Sequence, residues 1–166
     1  MGADTVDGGA GRDLWSVNYS GLNVDVALTL TPGLWSVIGA TGARLRNVEQ
    51  VSLVTGSGND LLDASQVTAD QYFESNVSND TFIVSGGRST FQAGGDQDLL
   101  VADFSDSTTR IGWTDLGYGW WRLGDLTRSQ SVDVYSVEQY NLTGGSADDV
   151  LSGSGLADTL TGGAKQ

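Results

Sequence analysis

The sequence predicts an all-β fold, a right-handed parallel β-solenoid in which short strands stack coil upon coil. Glycine supplies 24 of the 166 residues, about twice its usual share of roughly 7%, which indicates many tight turns. A nine-residue pattern of glycine, aspartate and apolar residues recurs along the chain. No long segment has helical periodicity, and several segments alternate apolar and polar residues as half-buried strands do. Together these observations favour stacked strands.

The nine-residue pattern is clearest in "DGGAGRDLW" (7–15), where glycines and aspartates precede an apolar pair. The same order recurs in "TGSGNDLLD" (55–63), "AGGDQDLLV" (93–101) and the tandem units "GGSADDVLS" and "GSGLADTLT" (144–161). Glycines permit the positive φ angles of a sharp turn, and the aspartate carboxylate points into that turn. The apolar residue that follows lies in a short strand and stacks on its counterparts in neighbouring coils. Nine residues therefore make half a coil, and eighteen make a full one.

The nine-residue register also joins Phe82, Phe91 and Leu100, which predicts successive core positions. Asp80 and Asp98 are two periods apart, and Ser89 stands between them, so we expect a degraded site there. The segment "VTADQYFESN" (67–76) is the one place where we expect a helical turn or an excursion from the coil.

A longer repeat predicts the domain organisation. "RDLWSVNYS" (12–20) matches "QDLLVADFS" (97–105), and "NVEQVSLVTGSGNDLLD" (47–63) matches "SVEQYNLTGGSADDVLS" (136–152). Within each unit, "LNVDVALTL" and "SVDVYSVEQYNLT" alternate as strands do, so each unit should leave the minimal coil for a wider strand pair and then return.

We therefore expect a single solenoid module over 1–166. Its two repeat units span approximately 8–63 and 93–152, the segment 64–92 bridges them, and nonapeptides at 1–7 and 153–164 flank them.

The charge and residue content narrow the function. The formal net charge is -13, and aspartate supplies 18 of the 21 acidic residues, with no histidine and no cysteine. Zinc sites and thiol or imidazole catalysis therefore lack their usual residues, whereas hard cations that prefer oxygen ligands keep theirs. Nucleic acid is excluded as a partner because there is no basic patch. We see neither a signal peptide nor an apolar run long enough to span a bilayer.

The repeated units resemble the glycine-rich G-G-x-G-x-D-x-U-x nonapeptides of RTX (repeats-in-toxin) proteins, the haemolysin-type calcium-binding repeats. The resemblance implies a β-roll that holds several Ca²⁺ ions between successive turns on one side, bound by motif aspartates and turn carbonyls. The aspartates at matching positions are Asp4, Asp13, Asp60, Asp80, Asp98, Asp149 and Asp158. The matching turn residues are Gly8, Gly9, Gly11, Gly56, Gly58, Gly94, Gly95, Asp96, Gly144, Gly145 and Gly153.

Any single Asp-Gly turn could also be a metal-free Asx turn, in which the carboxylate bonds only its own backbone. An array of such turns is a different case, because carboxylates stacked at coil spacing repel one another and bound Ca²⁺ removes that penalty. The array therefore favours calcium.

An aromatic cluster offers a second candidate site. "GWTDLGYGWWRLG" (112–124) carries Trp113, Tyr118, Trp120 and Trp121, and Trp35 lies in the corresponding excursion of the first unit. Exposed aromatic rings beside polar groups can stack on sugars or contact a protein. The alternative is that a hairpin folds its own tryptophans over the roll. Exposure of the rings distinguishes the two.

The repeats favour a calcium-binding structural module of a secreted bacterial protein, exported by type I secretion and located outside the cell or on its surface. Such a module is unfolded where Ca²⁺ is scarce and folds outside, beside neighbouring modules of a longer chain. The alternative is a carbohydrate-binding or adhesive module that binds polysaccharide through the aromatic cluster, similar to accessory modules of alginate epimerases. A calcium-dependent polysaccharide lyase or epimerase fragment with Arg110 or Arg122 as base is disfavoured, because no convergent acid and base pair is visible. We therefore expect no enzymatic activity.

Overall fold

The computed structural model describes residues 3–125 and 127–163, and these form strands and turns without a helix. It follows that no helix in this part could span a membrane. The outer ends of the flanking nonapeptides, residues 1–2 and 164, lie outside the described residues. The strands are β1 Thr5–Asp7, β2 Leu14–Asn18, β3 Ala27–Thr29, β4 Ser36–Val37, β5 Arg44–Arg46, β6 Gln50–Val54, β7 Leu61–Ala64, β8 Tyr72–Glu74, β9 Thr81–Val84, β10 Arg88–Gln92, β11 Leu99–Asp103, β12 Ile111–Gly117, β13 Trp120–Asp125, β14 Ser131–Tyr135, β15 Gln139–Thr143 and β16 Thr159–Thr161.

Two sheets face each other along the molecule. The seven-stranded sheet has the order β12-β13-β14-β10-β8-β6-β2, and the six-stranded sheet has the order β16-β15-β11-β9-β7-β3. From β6 to β11 the chain alternates between the sheets, and each strand pairs in parallel with its counterpart one coil away. A third sheet, β1-β5-β4, lies outside these two. The predicted all-β fold of stacked parallel coils is confirmed.

The coils have the predicted length in the centre of the molecule. The hydrogen bond from Asp80 to Asp98 links residues 18 apart, whereas the bond from Asp60 to Asp80, one coil earlier, links residues 20 apart. The extra length lies in the turn between β7 and β8. The expectation of a helical turn or excursion over 67–76 is wrong, because this segment contains strand β8 in the regular stack.

Phenylalanines fill the core between the two sheets. Phe73 and Phe91, one coil apart on the seven-stranded sheet, stack with ring centroids 5.4 Å apart. Phe82 meets both from the six-stranded sheet, and all three side chains are fully buried. The predicted register through Phe82, Phe91 and Leu100 is confirmed, since these residues alternate between the sheets.

The two enlarged coils have the same local topology. In the first, β5 pairs in parallel with β1 and antiparallel with β4. In the second, β14 pairs in parallel with β10 and antiparallel with β13. The matching segments nevertheless lie on different sheets, because β2 belongs to the seven-stranded sheet and its counterpart β11 to the six-stranded one. The long repeat thus advances by an odd number of half coils.

Truncation of a core ring should cost far more than truncation of its neighbour. We expect Phe82→Ala to lower the free energy of unfolding by about 3–5 kcal/mol, because loss of this ring leaves a cavity beside Phe73 and Phe91 that cannot close. Ile83→Ala, on the outward face of the same strand, should cost about 1 kcal/mol. Urea unfolding in saturating Ca²⁺ measures both, and equal losses would contradict this core.

Candidate metal centre

Three motif aspartates form a buried column where the chain passes from the seven-stranded to the six-stranded sheet. Asp60, Asp80 and Asp98 each immediately precede a strand, in the stacked turns 55–60, 75–80 and 93–98. Their exposed fractions are 2%, 1% and 0%. Side chains two residues apart in an extended segment share a face, so each aspartate points inward with the apolar residue two positions later. The nonapeptide pattern itself therefore places these carboxylates inside.

The column is hydrogen-bonded from coil to coil. The amide of Asp60 donates to Oδ1 of Asp80 at 2.8 Å, and the amide of Asp80 donates to Oδ1 of Asp98 at 2.8 Å. At one end the amide of Val26 donates to Oδ1 of Asp60 at 2.7 Å. At the other, the amide of Asp98 donates to Oε2 of Glu138 at 3.1 Å. We call this series the carboxylate ladder.

A second series of side chains lies next to the ladder on the outside of the turns. The amide of Asn59 donates to Asp25 at 2.8 Å, the amide of Asn79 donates to Asn59 at 3.1 Å, and the amide of Gln97 donates to Asn79 at 3.0 Å. The residue before each ladder aspartate thus also bonds its neighbouring coil. Two adjacent positions therefore fix the spacing of the turns.

One oxygen of each ladder carboxylate is left out of the ladder. Oδ2 of Asp60, Asp80 and Asp98 is buried and accepts no hydrogen bond of good geometry from the described residues. The same holds for Oδ2 of Asp13 and Asp149. A buried charged oxygen without a partner is costly, and a hard cation such as Ca²⁺ binds oxygen ligands of this kind. The residues present therefore fit a calcium ion.

Burial changes the acidity of the ladder. It raises the pKa of Asp80 and of Asp98 to about 7, and the hydrogen bonds that they accept only partly oppose this rise. Burial also raises the pKa of Asp60. A group whose pKa is near 7 is roughly half protonated at neutral pH, so at this pH a bound cation would be needed to keep Asp80 and Asp98 fully ionised.

Turn glycines allow successive turns to approach closely. A Cβ atom on Gly56 would overlap the carbonyl oxygen of Leu22, and one on Gly94 would overlap that of Asn76. Gly94 also has a φ of 111°, in the region that favours glycine. Because these glycines have no side chain, backbone carbonyls of neighbouring coils pack directly against the ladder turns.

The first position of the motif differs between the ladder turns and the other turns. A Cβ atom on Gly144 or Gly153 would overlap the carboxylate five residues later, Asp149 or Asp158. In two ladder turns this position holds Thr55 or Ser75, whose hydroxyl lies beside its carboxylate and opposes the rise in pKa. The sequence analysis did not select Thr55 or Ser75.

The other predicted aspartates are distributed over both edges of the solenoid. Asp13 and Asp149 precede segments that pair along the seven-stranded sheet, on the edge opposite the ladder. Asp158 precedes β16 of the six-stranded sheet, and its oxygens accept the amides of Tyr140 and Ser154. Asp4 is exposed before β1. The expectation that all the motif aspartates lie along one side is therefore wrong.

The remaining predicted turn residues flank these positions. Gly9, Gly11 and Asp96 have φ angles of 87°, 128° and 81°, as sharp turns require, and the carboxylate of Asp96 accepts the amide of Ser78 at 3.2 Å. A Cβ atom on Gly8 would overlap the carbonyl of Asn47. The other members of this set are Gly58, Gly95 and Gly145, and they lie in the same stacked turns.

In residues 3–125 and 127–163, no three acidic side chains converge as a preformed metal cluster. A cation here would therefore take one or two carboxylate oxygens and obtain its other protein ligands from turn carbonyls. This division of ligands suits Ca²⁺, which accepts six to eight oxygens of mixed type.

Two glutamates that the sequence analysis did not select have matching positions in the two units. The amide of Asp13 donates to Glu49 at 3.0 Å, just as the amide of Asp98 donates to Glu138. The repeated Val-Glu-Gln of the long repeat was the available signal.

Ser89 lies on the opposite edge from the ladder, where its hydroxyl accepts the amide of buried Gln71 at 3.2 Å. The degraded site expected at Ser89 is thus a buried hydrogen bond between a serine hydroxyl and the backbone.

The structure divides the aromatic cluster. Trp120 packs on Tyr135 with centroids 5.3 Å apart, and Trp113 packs edge-on against Tyr140 at 5.3 Å. Tyr118 is fully exposed at the tip of the β12–β13 hairpin, and Trp121 is 45% exposed. Packing therefore accounts for Trp113 and Trp120, whereas Trp121 presents an accessible ring.

Comparison with known families agrees with this geometry. The family model of the RTX calcium-binding nonapeptide repeat matches the chain in four copies, over residues 1–14, 75–108 and 141–164. Searches of curated proteins and of solved structures gave no match. The matched segment 75–108 contains Asp80 and Asp98 of the ladder together with the turns that hold them. The chain therefore carries RTX calcium-binding nonapeptide repeats.

Proposed function

We propose that the chain is a calcium-binding module whose β-roll folds in response to Ca²⁺. The observation that carries this proposal is the row of unpartnered Oδ2 atoms of Asp60, Asp80 and Asp98. These residues would hold calcium together with carbonyls of the stacked turns, and Asp13 and Asp149 would do so on the opposite edge. Bound Ca²⁺ supplies positive charge and oxygen coordination at these atoms.

Electrostatics supports a dependence of folding on the ion. Each bound Ca²⁺ would add two positive charges to a chain whose formal net charge is -13. It would thereby reduce repulsion along the stacked turns. Extracellular calcium modules bind with Kd of roughly 10⁻⁴ to 10⁻³ M. At a free concentration about ten times Kd, one site adds about 1.4 kcal/mol to the folded state. Several sites together are comparable with the whole stability of a domain, about 5–15 kcal/mol.

An affinity in this range would suit a location outside the cell. Millimolar Ca²⁺ outside a bacterium would saturate such sites, whereas the scarce Ca²⁺ inside would leave the chain unfolded and suitable for export. We therefore propose a secreted or cell-surface location, type I secretion as the route, and neighbouring modules of a longer protein as partners.

A structural role is favoured over catalysis. The matching repeat is a calcium-binding repeat, and the candidate base Arg122 forms two hydrogen bonds to Asp133, at 2.5 and 2.6 Å. This pairing raises the pKa of Arg122 above its ordinary value. A guanidinium held in this way is a poor proton acceptor, which argues against a lyase or epimerase that uses it as base.

Substitutions in the ladder test the proposed sites. Asp80→Asn and Asp98→Asn keep the shape of the side chain but remove its charge, so each should reduce the number of bound ions or raise Kd roughly tenfold. The calcium concentration at the folding midpoint should rise in parallel. Calorimetric titration with Ca²⁺ and far-UV circular dichroism measure the two effects.

Asp103→Asn is the matched control, because Asp103 is exposed at the end of β11, where its carboxylate accepts the amide of Ser105. It makes the same change in net charge outside the ladder. Equal effects of all three variants would indicate diffuse charge screening and would overturn the site assignment.

The pH dependence should reverse when calcium is present. The pKa of about 7 for Asp80 and Asp98 in the folded chain exceeds the ordinary value of 3.8. Without a cation, the contribution of these two carboxyls to the free energy of unfolding is therefore complete below about pH 3.8. It is lost as the pH rises through 7. In chelator we expect more β-structure at about pH 5 than at about pH 8. In Ca²⁺ the folding midpoint should instead require more ion as the pH falls, because protons compete for the ligands.

Circular dichroism at each pH, with chelator and along a calcium titration, checks both trends. Two results would show that the ladder carboxylates do not couple folding to pH. One is a protein that, in chelator, has most β-structure at about pH 8, and the other is a calcium concentration at the folding midpoint that does not depend on pH.

A further inference from the structure

The edge of the solenoid opposite the carboxylate ladder carries a glutamine at the position of a motif aspartate. Gln71 immediately precedes β8, and the fully buried Phe73 follows two residues later. Asp80 has the same relation to β9 and to Phe82. Gln71 is 3% exposed, so its side chain points inward as the ladder carboxylates do. An uncharged amide therefore lies where the nonapeptide motif has a carboxylate.

The oxygen of this amide makes the same bond as a ladder carboxylate. Oε1 of Gln71 accepts the backbone amide of Val51 at 2.8 Å. Val51 lies opposite Gln71, one residue before the paired Ser52 and Tyr72. Each bond of the ladder has the same form, since a backbone amide donates to the side-chain oxygen of the residue opposite it in the next coil. The side chain of Gln71 thus connects two coils as a ladder aspartate does.

The nitrogen of the same amide binds backbone carbonyls of two successive coils. Nε2 of Gln71 donates to the carbonyl of Glu49 at 2.8 Å and to that of Ala69 at 3.0 Å. The carbonyl of Glu49 belongs to the preceding coil, and the carbonyl of Ala69 belongs to the turn of Gln71 itself. Both protons of the NH₂ group are therefore used. A calcium ion beside a carboxylate would accept carbonyl oxygens of the same kind.

The neighbouring contacts on this edge are also made by uncharged groups. The hydroxyl of Ser89, in the next coil, accepts the backbone amide of Gln71, and Ser89 is itself buried. Nε2 of Gln50 donates to the carbonyl of Asp70 at 3.1 Å, which again joins two coils. The buried side chains Gln71 and Ser89 carry no charge, so their burial needs no compensating ion.

We propose that the amide of Gln71 takes the place of a calcium ion between the coils of β6 and β8. This part of the edge then closes by hydrogen bonds alone and binds no ion, and calcium acts on the central coils from the ladder edge. The inference rests on the proposed calcium-binding function, because it assigns where along the roll ions are needed.

Gln71→Glu tests the proposal, because it keeps the shape of the side chain and exchanges the NH₂ group for a carboxylate oxygen. That oxygen would face the carbonyls of Glu49 and Ala69 with no donor between them, and a hard cation binds such a set of oxygens. We expect the variant to bind one more Ca²⁺ per chain than the native protein at about pH 8. Its folding should also depend more steeply on calcium. Calorimetric titration and far-UV circular dichroism measure the two effects.

Gln66→Glu is the matched control, because it makes the same change in charge on an exposed side chain of the same turn. It should bind the native number of ions. An unchanged number in Gln71→Glu, or an equal gain in Gln66→Glu, would overturn the inference. Calcium binding by Gln71→Glu but not by the native chain would instead overturn the proposed function and leave this inference standing.

Hydrogen exchange of the native chain gives a test that does not require the variant to fold. In the calcium-saturated protein, the side-chain NH₂ protons of Gln71 should exchange at least about tenfold more slowly than those of exposed Gln66, because both are held by carbonyls. Nuclear magnetic resonance resolves the two groups. Equal exchange rates would show that the amide does not occupy these carbonyls and would overturn the inference.

Discussion

The structure depends on the bond between the amide of one ladder aspartate and the carboxylate of the next. Asp60, Asp80 and Asp98 repeat this bond at 2.8 Å and so connect successive coils inside the molecule. The bond requires a carboxylate to be buried at every step, next to the phenylalanine core. The same interaction that holds the coils together therefore places negative charge where it is least stable.

That conflict accounts for the other features of the site. One oxygen of each carboxylate is used by the ladder, and the second is left for a ligand of opposite charge. Glycines such as Gly56 and Gly94 let the backbone of neighbouring turns pack directly against the ladder turns. In the proposed function, Ca²⁺ resolves the conflict, so the fold and its response to calcium have one physical origin.

The stacked coils and the ladder were largely predictable from the nine-residue pattern. Its glycines, its aspartate and its inward apolar residue each determine the conformation of their own turn or strand. Phe82, Phe91 and the ladder aspartates followed from it directly. The strand within 67–76 could not be predicted in this way, because the turn that follows it lacks the motif glycines. Asn76 and Ser78 adopt φ angles of 69° and 86° in that turn, where a motif search expects glycine. The distribution of aspartates over two edges follows from a half coil of nine residues, which puts consecutive repeats such as Asp149 and Asp158 on opposite sides. Pairing across the long excursions, and hence the role of Glu138, depends on contacts between residues distant in sequence that no local pattern contains.

Amide hydrogen exchange at the ladder tests the central claim most directly. The amides of Asp60 and Asp80 donate to buried carboxylates, so their exchange reports whether the column is formed. The account predicts strong protection of both amides in millimolar Ca²⁺ and exchange close to the rate of an unfolded chain in chelator, with Mg²⁺ a poor substitute because it requires a tighter octahedral shell. Equal protection with calcium and with chelator would contradict it.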